Sequence, residues 1–207
     1  MSKVQVDFLF DFGSPNAYLS HKVIPHIEAR QDVVFRYVPI LLGGLFKLSG
    51  NQSPADAFSH IKNKPQFGKL ETARFIARHG ITEYRFNPHF PINTLKLMRG
   101  AVAAQLNGTF DLYVTSVYRF MWEDELDMGD PVVLSAALDK AGLDGKGFAQ
   151  RIDVPEVKQR LIDNTQKAFE RGAFGSPTFF VNDEMYFGKD QLRDVEEEII
   201  RLTAPQA

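Results

Sequence analysis

The stretch Val4–Arg30, VQVDFLFDFGSPNAYLSHKVIPHIEAR, constrains the fold more than any other part of the chain. The apolar run from Val4 to Phe12 predicts a buried strand that stops at Gly13. Pro15 suits the first position of a helix. Ser14 before it suits the N-cap, where a hydroxyl accepts a hydrogen bond from an amide that the first turn leaves without a partner. Behind them Tyr18, Leu19, Val23 and Ile27 recur at helical spacing. A strand, a tight turn and a hydroxyl at the positive end of a helix can stabilise an anion. Taken alone, Ser14 is first of all a plain cap.

The rest of the chain builds on this unit. Val33–Val38 reads as a second strand, completing a βαβ unit whose strands run parallel. After Pro39 the segment ILLGGLFKLSGNQSP reads as a loop, because Gly43, Gly44, Gly50 and Pro54 interrupt it. In it Asn51 and Gln52 are turn residues or ligand contacts. From about Asp56 to Arg171 the periodicity is helical. Phe67, Leu70 and Ala77 mark one helix, Leu95 to Leu106 a second and Phe110 to Trp122 a third. Asp130-Pro131 opens a fourth, Phe148–Ile152 is a weak helical turn, and Pro155–Arg171 is a clear amphipathic helix. Thr178–Val181 and Met185–Phe187 then read as a hairpin turned at Asn182-Asp183. A last helix starts near Asp190 and carries Leu192, Val195, Ile199 and Leu202 on one face. The order β-α-β, helices, β-β-α predicts an α/β thioredoxin-like domain, residues 1–50 and 172–207, with an all-helical insertion, residues 51–171.

Composition narrows the chemistry. The 207 residues include no cysteine, so the chain has no disulfide, thiolate metal site or thiol redox chemistry of its own. Any sulfur chemistry must come from a ligand. With 24 basic against 26 acidic residues there is no nucleic-acid footprint and no basic face for a membrane. No apolar run has the length of a membrane span, and the first residues lack a signal peptide's pattern, so a cytoplasmic protein is expected. The five histidines show no metal-ligand spacing, and neither a serine-hydrolase elbow nor a phosphate-binding glycine loop is present. No metal is expected.

Two further stretches carry chemistry. Pro177 follows a glycine-rich approach, GAFGS, and stands at the start of a strand, where a cis bond would be a specific feature. Gly188-Lys189-Asp190 enters the last helix, with Asp190 a plain cap in isolation. Together, FDFGSPNAYL, GNQSP and GAFGSPTFFVNDEMYFGKDQL, in this order, resemble the 2-hydroxychromene-2-carboxylate isomerases. These are close relatives of the kappa-class glutathione transferases and share a fold with thiol–disulfide oxidoreductases that carry a helical insertion. The resemblance covers nearly the full length and is looser between Ser53 and Asn93.

The resemblance implies glutathione as cofactor. Ser14-Pro15-Asn16-Ala17 stands where the oxidoreductases have Cys-x-x-Cys, so the glutathione sulfur would lie near Ser14, the expected catalytic residue, and the helix N-terminus, with Asn16 among the cofactor-binding residues. A helix N-terminus and a hydroxyl both favour a thiolate. Ser176 before Pro177 would pair with the glutathione backbone, Asn51 would contact it, and Asp190 would take the γ-glutamyl ammonium. Lys189 replaces a small polar residue usual in the family. Lys47, Lys64 and Asn93 fall where the family binds a carboxylate-bearing substrate, although each lysine is also an ordinary surface residue. Phe12, Leu45, Phe46, Phe90 and Trp122 are the expected hydrophobic walls of the cleft. The implied activity is isomerisation of a small aromatic carboxylate, with conjugation of glutathione to electrophiles or simple glutathione binding as alternatives. Such relatives are often dimers, so a homodimer is part of the same expectation.

Overall fold

The computed structural model describes residues 4–204. Its strands are β1 (Val6–Phe10), β2 (Phe35–Pro39), β3 (Thr178–Val181) and β4 (Glu184–Phe187). They form one sheet in the order β2-β1-β3-β4, with β1 parallel to β2 and antiparallel to β3, and β3 antiparallel to β4. Helix α1 (Pro15–Gln31) joins β1 to β2. Between β2 and β3 run α2 (Leu42–Ser49), α3 (Pro54–Ala57), α4 (Lys64–His79), α5 (Leu95–Asn107) and α6 (Phe110–Trp122), then α7 (Pro131–Lys140), α8 (Phe148–Arg151) and α9 (Pro155–Glu170). After β4, a 3-10 turn at Lys189–Gln191 leads into α10 (Leu192–Thr203). This is the thioredoxin-like arrangement with helices inserted between its halves. No helix among the described residues is long and apolar enough to cross a membrane.

Every residue of β1 is buried, Asp7 included, as expected of a central strand covered on both faces. Phe8, Phe10 and Phe12 form an aromatic spine that continues into the helices. Phe8 stacks on Phe179 of β3 at 5.3 Å, and Phe12 meets Tyr118 of α6 edge-on at 4.9 Å. Such ring pairs add to the burial itself. Sheet and inserted helices thus share one apolar core. The contact between α5 and α6 depends on Gly100, where a Cβ would stand 2.1 Å from the Tyr113 hydroxyl oxygen. The bare backbone lets that hydroxyl donate to the Leu97 carbonyl at 3.0 Å.

Three expectations change. The segment read as a loop after Pro39 contains the helix α2, despite Gly43 and Gly44. Glycine weakens a helix on its own, but here distant groups cap the first turn: Asp11 Oδ2 accepts from the Leu42 amide at 2.8 Å, and Thr165 Oγ1 from the Leu41 amide at 2.9 Å. The final helix begins at Leu192, after the 3-10 turn, and Asp190 does not cap it. On α4, Phe67 and Leu70 are 52% and 46% exposed, while Phe75 is buried. The periodicity is helical, but only Phe75 turns into the core.

A buried charge ties the sheet to the end of α9. The Asp7 carboxylate in β1 accepts two hydrogen bonds from Arg36 of β2, at 2.8 and 2.9 Å, and one from Arg171, just past α9, at 2.8 Å. Burial by itself raises the Asp7 pKa, but the bonds from Arg36 and Arg171 outweigh it and hold the group below its ordinary value of 3.8. A carboxyl lowered in this way stabilises the fold above its unfolded pKa and loses that contribution as pH falls through the folded value. Asp7→Asn is expected to cost about 2 kcal/mol at pH 7, less than a fully buried pair because both arginines keep part of their hydration. In urea unfolding the difference from wild type should shrink below pH 4.

Candidate functional site

Strand register builds the site. Leu9 of β1 faces Thr178 of β3, so the turn after β1 comes against the segment before β3. There the Ser176-Pro177 bond is cis. The Ser176 hydroxyl accepts from the Asp11 amide at 3.2 Å, extending the strand pairing through a side chain. Ser14 caps α1, its Oγ accepting from the Ala17 amide at 3.2 Å, and the same hydroxyl donates to the Ser176 carbonyl at 2.8 Å across 162 residues of sequence. It is 5% exposed.

Beside this turn opens a cleft of ≈ 1020 Å³ between the start of α1, helix α4 and the Lys189–Gln191 turn. Pro15 and Asn16 line it on one side, Lys189 and Asp190 on another, and Lys64, with Phe58 and Phe67, on a third. Of the sequence-predicted residues, Asn16, Lys64, Lys189 and Asp190 therefore share the cleft. Ser14 lies one residue behind its wall, with Ser176 and Pro177 next to it. Lys47, Asn51 and Asn93 are not among the lining residues. Asn51 instead donates to the Phe174 carbonyl at 2.9 Å and holds the loop that leads to Ser176. Asn93 accepts from the Leu95 amide at 3.0 Å and serves the start of α5, and Lys47 is exposed on α2.

The expected walls are also different. Phe12, Leu45 and Trp122 are wholly buried. The Trp122 indole donates to the Phe12 carbonyl at 2.8 Å, which fixes both residues in the core. Phe46 and Phe90 are partly exposed, yet they do not line the cleft either. The apolar surface comes instead from Leu19, Phe58, Phe67, Ile76, Tyr84 and Phe86.

Residues 5–200 match the DSBA-like thioredoxin domain. The chain belongs to this family. A 2-hydroxychromene-2-carboxylate isomerase of Sphingobium xenophagum is 27% identical over 195 residues, covering 94% of this chain and 97% of the relative. Glutathione S-transferase kappa 1 of Caenorhabditis elegans is 40% identical over 202 residues, covering 90% of this chain and 87% of the relative. A solved 2-hydroxychromene-2-carboxylate isomerase superposes with a TM-score of 0.81 at 26% identity, covering 95% of each chain. Within the DSBA-like family, then, the chain is similar to proteins named as isomerases and as kappa-class transferases. The chain contains no cysteine.

Sequence reasoning missed the residue that organises this DSBA-like site. Asp11 is fully buried, its Oδ1 accepting from the Gly13 amide and its Oδ2 from the Leu42 amide, each at 2.8 Å. Burial raises its pKa, opposed by those amides and by the Thr94 hydroxyl. Its only sequence signal was an acid ending an otherwise apolar strand. Asp11→Ala should cost about 2–3 kcal/mol, because it orphans two amides next to the core. Denaturant unfolding measures that loss, and amide exchange at Gly13 and Leu42 should speed up more than exchange in β1.

Proposed function

We propose that this protein is a glutathione-dependent isomerase that converts 2-hydroxychromene-2-carboxylate-like compounds into trans-o-hydroxybenzylidenepyruvate. The reading includes a cytoplasmic homodimer acting in aromatic-compound degradation. The observation that carries it is the capped turn: a buried serine hydroxyl at the N-terminus of α1, against the carbonyl of Ser176, beside a cleft large enough for a tripeptide and an aromatic acid. The donor set fits glutathione. Asp190 offers a carboxylate for an ammonium, the amides of the first turn of α1 favour an anion, and no protein thiol competes. When bound, glutathione supplies the nucleophilic sulfur that the chain lacks.

The chain's own part is electrostatic. The Ser14 hydroxyl, now donating to the Ser176 carbonyl, turns to an anion at the mouth of the turn and keeps accepting from Ala17. Once released, that carbonyl is open to an amide of the peptide, as in strand addition. Lys64, whose Nζ stands 4.6 Å over the Phe58 ring, meets the substrate carboxylate on the α4 side. The apolar residues of the cleft exclude water from an aromatic substrate. A second reading, a transferase, is favoured by the 40% identity to the kappa-class relative.

Turnover separates the two. With sub-stoichiometric glutathione and hydroxychromene carboxylate, an isomerase completes conversion and consumes no glutathione. A transferase instead forms stoichiometric conjugate with a model electrophile, and binding with neither product would leave a non-catalytic protein. Ser14→Ala should cost about 1 kcal/mol of stability as a lost cap. Turnover should fall roughly ten- to a thousand-fold, the scale of one preorganised hydrogen bond to a reacting anion, and should partly recover at higher pH. The ultraviolet thiolate absorbance of bound glutathione should titrate at higher pH in the variant. Identical titrations with equal turnover would reduce Ser14 to a cap.

A further inference from the structure

Helix α4 turns one face toward the rest of the molecule. Gly68, Thr72, Phe75, Ile76 and His79 are its residues that are not exposed, and their spacing puts them on one side. The two halves of that face differ. Phe75 fills the core, whereas the first half carries only Gly68 and Thr72, and both line the cleft. Glycine inside a helix costs stability relative to alanine, so its presence calls for a reason. Neither structural reason holds at Gly68. Its φ is not positive, and a Cβ built on it would meet nothing within 4 Å. Bare backbone therefore faces the cleft with no protein group packed on it. Phe58 and Phe67 line the same cleft while 42% and 52% exposed. Large apolar side chains left uncovered beside a cavity mark a surface that a ligand covers.

We propose that Gly68 is a specificity-determining residue of the cleft, its bare backbone serving as the platform on which a planar system of two or more fused rings lies. Only glycine lets a ligand approach helix backbone so closely. Dispersion contact needs atoms about 3.5–4 Å apart, and a flat ring face reaches that distance over many atoms at once. Thr72, one turn further on, is also small, so the platform runs for about 6 Å more along the axis and has room for a second ring. Lys64 stands the same distance in the other direction and can take a carboxylate carried by the ring. A flexible chain bends around an added methyl group, so it gains little from the missing Cβ. The proposal rests on the reading of the cleft as a site for an aromatic acid, and it needs neither glutathione nor a particular reaction. The contrary reading makes Gly68 a tolerated flaw in the helix. Under both, alanine strengthens the helix. Only under the proposal does it also make a worse receptor.

Isothermal titration with 2-naphthoate, octanoate and S-methylglutathione tests this in wild type, Gly68→Ala and Gly68→Leu. Gly68→Ala should raise the urea midpoint, as a better helix former. It should nevertheless bind 2-naphthoate about tenfold more weakly, the lower end of what one extra carbon in a pocket is worth. Gly68→Leu should weaken 2-naphthoate about a hundred-fold or more. S-methylglutathione should keep its affinity within about twofold, because Gly68 lies apart from Ser14 and Asp190. A loss of 2-naphthoate affinity below about threefold in Gly68→Ala overturns the proposal, and so does an equal loss for S-methylglutathione, which marks a disturbed cleft. Wild type that prefers octanoate also overturns it and identifies a flexible chain as the occupant. Should Gly68→Leu fail to fold, Gly68→Ala decides alone, because its added carbon meets open space. Wild type that binds 2-naphthoate but not S-methylglutathione would bring down the glutathione reading and leave this inference standing. Wild type that binds S-methylglutathione but not 2-naphthoate would do the reverse.

Discussion

The site depends on one buried carboxylate. Asp11 directly follows β1, and its two oxygens hold the amide of Gly13 in the turn and the amide of Leu42 at the start of α2. Its own amide is held by the Ser176 hydroxyl, ahead of the cis-proline. Three segments that are distant in sequence, the turn after β1, the start of α2 and the entry to β3, thus meet at a single residue. A carboxylate in this position is expensive to bury, and it is tolerated because amides and the N-terminus of α2 surround it with donors. Gly13 is part of the same constraint. A Cβ there would come within 3.1 Å of Thr94 and 3.3 Å of the Asp11 carboxylate, so one of these buried side chains would have to give by a few tenths of an ångström.

With the turn fixed, the hydroxyl of Ser14 inherits its position. It faces a backbone carbonyl on one side and the first turn of α1 on the other. A thiol in this place would serve redox exchange. A hydroxyl here can only donate, accept and orient, and it shares its position with the positive end of α1. Beside the turn lies the cleft. Its apolar side comes largely from α4 and the segment after it, its charged side from the turn that leads into α10, and α1 lies between. Lys189 reaches from that turn to the Phe75 ring of α4 and so touches both sides.

The fold was legible because its signals are local. The largely apolar strand β1, the Ser14-Pro15 cap, the Asp130-Pro131 cap and the turn between β3 and β4 all appear where their sequence placed them. Asp130, for example, accepts from the amides of Val132 and Val133. Helix α2 was missed because its capping groups, Asp11 and Thr165, come from far along the chain, and two glycines hide its propensity. The cleft walls were misassigned for a related reason. Hydrophobicity alone does not tell a buried Trp122, bonded to the Phe12 carbonyl, from an exposed Phe67.

The sequence by itself determined most of the strand and helix order, the Ser14-Pro15 and Asp130-Pro131 caps and the absence of a protein thiol. These follow from periodicity and from residue chemistry within a few positions. Only the tertiary structure decided which polar residues face the cleft. Asn51 spends its amide nitrogen on the distant Phe174 carbonyl and its oxygen on the Gln52 amide, and Asn93 its oxygen on the Leu95 amide, whereas Lys189 and Asp190, paired with each other, line the cleft. Whether a polar side chain is satisfied depends on which distant backbone groups come within hydrogen-bond reach. That proximity is created by strand register and helix packing, and no local pattern encodes it.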